Sequence, residues 1–323
     1  MENDKLCILG EEVMKPQSFG KTARISVSWF ASAMVLMLAI LFLPAIVVAE
    51  QKVRTVDELA KMYDVSSCKQ CHDKVYQEWE KSAHSRSLIG TGRTIGGFRG
   101  MIQAGLMGAY TKLGVKEAKD VKVEHLTRCF VCHLPQIKDA TDGVAQELTK
   151  AFIDGDRAVL GKVGVNCVVC HNTKAIIHKW QDGEPEKGVV YGSKEGAHGG
   201  DPAYPTMKRS VVMKEAVMCG QCHGLGPTFE FPQPSQCATQ YGSYLHAYIP
   251  AGGTETCQDC HMKKDGKGHM MPAYRDPDVA KRAVDVEVTA RGYGFLLRPG
   301  DLIPKAVVTV KITNTAGHRI PDG

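Results

Sequence analysis

Ten of the twelve cysteines stand in five pairs of one spacing, and each pair runs directly into a histidine. The runs are Cys68-Cys71-His72, Cys129-Cys132-His133, Cys167-Cys170-His171, Cys219-Cys222-His223 and Cys257-Cys260-His261. Cys-x-x-Cys-His is the attachment signature of c-type haem. Two thiols add across the vinyl groups on one edge of a porphyrin, and the adjacent imidazole is carried beneath the ring to the iron. A zinc site takes two such pairs per metal, which would leave one of five unpaired and five histidines in register unexplained. A disulfide framework has no use for the histidines either. The expected cofactor is therefore haem c, five copies, held by those ten cysteines and by His72, His133, His171, His223 and His261.

Six-coordinate irons need a second ligand each, and seven histidines remain for that role. His84 falls in CKQCHDKVYQEWEKSAHSRS, which reads as a helix after the first motif with Tyr76, Trp79 and Ala83 on one face. His178 follows the third motif in CHNTKAIIHKW. His198 and His269 sit among glycines, in GSKEGAHGGDP and KDGKGHMMP, where the backbone can approach a ring closely. His318 lies in TNTAGHRIPDG, a loop after an expected strand. These five are the expected distal ligands. His125, four residues before Cys129, and His246, in YGSYLHAY, are weaker candidates. Methionine is the rival ligand and raises the potential; Met262, Met270 and Met271 stand near the last motif.

The elements that must position these residues are short. The motifs begin at 68, 129, 167, 219 and 257, about 39 residues per site, too few for conventional cores around each. The expected fold is mainly α: short helices and loops wrapped around stacked haems, with the porphyrins as core. After His269, AVDVEVTARGYG (283–294) and AVVTVKITNT (306–315) alternate as strands do, with RPGDLIP as the loop between. They read as the start of a small C-terminal β-sandwich or of a hairpin cap, truncated or completed by a partner. The expected organisation is 1–24 as a cytoplasmic n-region, 25–49 as an export signal or anchor, 50–275 as the pentahaem domain and 276–323 as the β-rich module.

Residues 25–49 are almost wholly apolar, preceded by Lys21 and Arg24, with Pro44 near the end and Val47 and Ala49 as small residues before a cleavage point. The stretch reads as a secretory signal cut after Ala49, or as an uncleaved membrane anchor. Both place the haem region outside the cytoplasm, in the periplasm or beyond the cell. The net charge of +5 comes without a basic run, which argues against nucleic acid as a partner. Five oxidised haems, each with two propionates and a ferric core, add roughly −5 and bring the holoprotein near neutral. Cys237 has no partner cysteine in the exported part, and Cys7 has no assigned role.

The run from Cys68 to His84, with its Tyr, Trp, Ser and His, resembles the superfamily that includes hydroxylamine oxidoreductase and the tetrahaem cytochrome that accepts its electrons. GVNCVVCHNTKAIIHKW resembles a later haem site of that group. CQDCHM (257–262), His269 and NTAGHRIPDG (314–323) resemble periplasmic and extracellular multihaem cytochromes of metal- and sulfate-reducing bacteria. The resemblance spans roughly residues 66–323 and implies distal ligation by His84 and His318, a helical haem-bearing body and a small β-sandwich. It departs from the oxidoreductase in haem number and in lacking a nominated cross-linking tyrosine. It departs from nitrite-reducing relatives in having no Cys-x-x-Cys-Lys site.

Three functions fit these residues. An electron carrier needs every iron bis-His ligated. A reductase or oxidase of a small nitrogen or sulfur compound needs one open iron with acid–base groups nearby. A conductive filament or complex subunit needs exposed haem edges. The carrier is favoured because five plausible distal histidines match five motifs; it is expected to exchange electrons with a quinol-linked donor or other cytochromes, as a monomer or in a homo-oligomer, and to meet the membrane only through 25–49.

Overall fold

The computed structural model describes residues 52–90, 93–176, 184–224, 238–264 and 266–320, all in the unit Gln51–Gly323. Cys7, the apolar stretch 25–49, His178 and Cys237 lie outside the described residues.

Nine α-helices occur among the described residues: α1 Val56–Met62, α2 Ser66–Lys81, α3 Arg93–Gly100, α4 Val123–His133, α5 Asp142–Asp154, α6 Arg157–Leu160, α7 Ala216–Gly220, α8 Gln240–Ser243 and α9 Pro277–Ala283. Short 3-10 and π turns link them. Local chemistry sets several boundaries. Thr55 caps α1 by accepting from the Glu58 amide, and Asp57 and Glu58 fill its first turn, where negative charge suits the helix dipole. Gly155 ends α5 at φ +74, a left-handed conformation that costs glycine nothing.

The apolar core lies in the first half of the described chain. Leu59, Leu88, Phe98, Leu126, Phe130, Leu148 and Phe152 are buried in one cluster running from Val56 to Val163. Phe98 stacks on Phe152 at 4.7 Å and meets Phe130 edge-on at 5.6 Å. This corrects the expectation that porphyrins must replace a protein core throughout. The 61-residue spacing between the first two motifs leaves enough apolar chain to close a core of its own. Beyond Cys167 the buried cluster among the described residues is the small one of Ala175, Val189 and Tyr191.

Two sheets occur. In the first, β1 Val189–Gly192 pairs parallel with β3 Thr206–Arg209, which pairs antiparallel with β2 Gly196–Ala197. This sheet was not foreseen, because its strands are only two to four residues long. The second is an antiparallel ribbon of β4 Val284–Arg298 and β5 Asp301–Asn314. The segment expected as a loop is mostly strand, and the turn is only Pro299-Gly300, with Gly300 at φ +97. Val286↔Ile312, Val288↔Val310 and Leu296↔Leu302 share one apolar face, while Asp285↔Thr313, Glu287↔Lys311 and Thr289↔Thr309 share the other. Every residue from Asp285 to Thr315 is exposed. From 284 to 314 the chain thus forms a two-stranded ribbon, the hairpin of the two expectations.

No helix among the described residues is long and apolar enough to cross a membrane.

Candidate haem centres

Each motif lies in a helical turn. The first is within α2, the second ends α4, the fourth begins in α7, and the third and fifth run into the π turns Val169–Thr173 and Asp259–Lys263. Helical spacing puts cysteines at i and i+3 on one face, as attachment to a single porphyrin edge requires. α2 bends at His72 (φ −117, ψ 38), which turns that imidazole off the helix line. Thr256 and Asp259 cap the fifth motif reciprocally, each accepting from the other's amide. Lys263, then the Thr256 amide and hydroxyl, hold the Asp259 carboxyl well below the usual range. None of the ten motif cysteines is drawn into a disulfide.

Four motif histidines each face a histidine from elsewhere in the chain. His72 stacks with His198 at 6.2 Å between centroids, planes 10° apart. His171 faces His269 at 6.4 Å and 26°, and His261 faces His318 at 6.2 Å and 19°. His223 faces His84 at 6.1 Å, with the planes crossed at 85°. An imidazole nitrogen binds a metal at about 2 Å, and the ring centre lies roughly 1 Å behind it, so two imidazoles sharing one metal put their centroids about 6 Å apart. The four gaps fit an iron. By contrast, among the described residues no three His, Cys, Asp or Glu side chains converge as a zinc site would need.

The partner histidines come from distant segments. His84 was expected on the helix after the first motif, but α2 stops at Lys81 and Ser82 is extended (φ −72, ψ 164). His84 instead opens the 3-10 turn His84–Arg86. That turn is tied to the approach of the third motif: Trp79 Nε1 donates to the Val165 carbonyl at 2.8 Å, and the Val165 amide donates to the His84 carbonyl at 3.1 Å. His198 follows β2, where its amide donates to the Pro205 carbonyl at 2.8 Å. The His269 amide donates to Glu78 Oε2 of α2 at 3.0 Å. His318 lies past the base of the ribbon, where the Arg319 amide donates to Ser243 Oγ at 2.9 Å.

His133 has a different neighbour: Phe98, with centroids 5.1 Å apart and planes at 89°. No histidine faces it among the described residues. His125 serves its own helix start, its Nδ1 accepting from the Lys122 amide at 3.0 Å. His246 is exposed in the π turn Tyr244–Tyr248.

The rings are prepared to bind a metal. Burial pushes the His84 imidazolium down to about 4. Burial likewise lowers His133, His171, His223 and His269, so these rings stay neutral and keep a lone pair. Nδ1 lies 2.8 Å from the Tyr191 carbonyl in His171, 2.9 Å from Tyr204 in His198, 2.8 Å from Pro272 in His261 and 2.9 Å from Arg319 in His318. Such bonds fix the tautomer and aim Nε2 at the metal. Sequence patterns did not reveal these carbonyls, nor Phe98, because nothing in the identity of a residue marks a remote backbone oxygen or a ring that happens to face a site.

The cysteines also gather between motifs. Cys68 lies beside Cys167, Cys132 beside Cys222, and Cys219 beside Cys257.

Motif chemistry and ring spacing together are those a c-type cytochrome needs. In line with this, the family model for cytochrome c554 and c-prime matches residues 67–95, the stretch holding the first motif and His84. That match supports a c-type cytochrome that transfers electrons. No curated protein and no solved structure matches the chain.

Proposed function

We propose that the protein is an exported pentahaem electron carrier. Its ten motif cysteines hold five haem c groups, and four of the irons sit between imidazole pairs: His72 with His198, His223 with His84, His171 with His269, and His261 with His318. The observation that carries this reading is the spacing of those pairs, 6.1 to 6.4 Å, each joining a motif histidine to one outside the motifs. When bound, haem supplies an iron that gains or loses one electron at low potential under two imidazoles. The chain contributes the thioether anchors, both axial nitrogens, and carbonyls that hold Nδ1. Close approach of cysteines from different motifs supports a continuous array. The apolar stretch 25–49 supports export to the periplasm or the cell exterior, with or without retention at the membrane. The partners that fit are redox proteins, a quinol-linked donor or other cytochromes, and a homo-oligomer or filament stays open.

Haem quantitation with low-temperature electron paramagnetic resonance tests the reading. The expected result is five haems per chain with at least four low-spin. Fewer than five haems, or a mostly high-spin spectrum, would overturn it.

A second reading has one observation in its favour: Phe98, not a histidine, stands against His133. An iron left open there would suit a reductase or oxidase of a small nitrogen or sulfur compound. A high-spin signal of one haem in five, shifted by nitrite or hydroxylamine, would select it; a fifth low-spin haem would discard it.

A further inference from the structure

We propose that the His84–His223 pair sets the highest reduction potential of the four imidazole pairs and gives its iron a spectrum unlike the other three. The inference rests on the reading of these pairs as axial ligands.

Two independent features act in one direction. The first is the His84 ring. In each of the other three pairs at least one ring has Nδ1 within 2.9 Å of a backbone carbonyl. An N–H so bonded makes the imidazole more basic, and a more basic ligand favours ferric iron. His84 Nδ1 is buried and has no hydrogen-bond partner. His84 is therefore the weaker donor, and its iron holds an electron more readily.

The second is the crossing of the rings, 85° against 10°, 26° and 19° elsewhere. Parallel imidazoles direct their π electrons into one iron d orbital and separate it from its neighbour. Crossed imidazoles divide that effect between two orbitals and leave them nearly equal. Ferric iron then loses the stabilisation of the split level and shows a single, very large g value.

The pair also stands at a junction. Cys219 lies beside Cys257 and Cys222 beside Cys132. The fourth motif thus adjoins two others. A higher potential at this point would make it the place where electrons entering elsewhere in the array come to rest.

The test is a redox titration of the haem-loaded protein followed by electron paramagnetic resonance. One low-spin component in the wild type should show the very large g value, and it should be lost before the other bis-imidazole components on reduction. H84A should remove that component, add a high-spin one and leave the remaining low-spin signals in place. H84M, which keeps a ligand, should shift that one wave to still higher potential. H198A should remove an ordinary component and spare the large-g one. The inference is overturned if no large-g component exists, if it is reduced after the others, or if it survives in H84A and H84M. Fewer than four low-spin haems in the wild type would overturn the ligand reading itself, and the inference with it.

Discussion

At the scale of single residues, histidine placement decides the chemistry. His125 and His198 both lie outside the motifs, yet one caps a helix and the other faces His72. Replacing each with Ala should separate them: H198A converts one low-spin haem to high-spin, whereas H125A leaves the spectrum unchanged. His84 also links folding to pH. Its ring, with an ordinary value near 6.5, is pushed down to about 4 by burial. The unfolded chain accepts a proton there that the fold refuses, so the contribution is intact above pH 6.5 and is lost as pH falls toward about 4. The full window corresponds to about 3 kcal/mol, and an iron bond to the ring acts with the same sign. Thermal melting followed from pH 7 to pH 4 should therefore show a smaller loss in H84M than in the wild type.

At the scale of elements, short turns carry the distal histidines, and they are held by close backbone contacts. Gly164 packs against the turn that bears His84; a Cβ there would stand 2.6 Å from the Ser85 carbonyl oxygen. Backbone cannot yield as a flexible side chain does, so G164A should cost about 1–3 kcal/mol. It should also displace His84 and change the spectrum of one haem. Gly192, in β1, has nothing within 4 Å of such a Cβ, and G192A should leave the haem spectrum as it is. The His269 turn is built on the same principle. Gly268 takes φ +51, and a Cβ would meet the Glu78 carboxylate that accepts from the His269 amide. The helix that carries Tyr76 and Trp79 after the first motif was legible in the sequence. The 3-10 turn at His84 was not, because the run of good helix formers up to Lys81 gives no sign of where Ser82 turns away.

At the scale of the molecule, stability is divided unevenly. Residues from Val56 to Val163 bury a cluster of aliphatic and aromatic side chains, whereas among the described residues beyond Cys167 the buried cluster is the small one of Ala175, Val189 and Tyr191. On the proposed ligation, haems held by His171 and His269, by His223 and His84, and by His261 and His318 would supply much of the later part's order. Haem attachment should matter differently to the two parts. In a C219S/C222S protein, limited proteolysis should cut early within 184–320 and spare 52–163. Equal protection of both parts would show that the later segment holds itself together. The ribbon adds an apolar face along Val286, Val288 and Leu296 that meets solvent in this chain.

The sequence by itself determined the cofactor chemistry, because covalent attachment needs two thiols and an imidazole within five consecutive residues. It also determined the alternation of the two long strands, because side chains on a strand point to opposite faces in turn. Only the tertiary structure decided which histidine meets which. His72 finds His198 and His84 finds His223 across long stretches of chain, and such pairing depends on how helices pack and where turns close. The same holds for Phe98 against His133 and for the lone Nδ1 of His84. Ligand pairing is a property of distances between remote segments, and local sequence carries no measure of those distances.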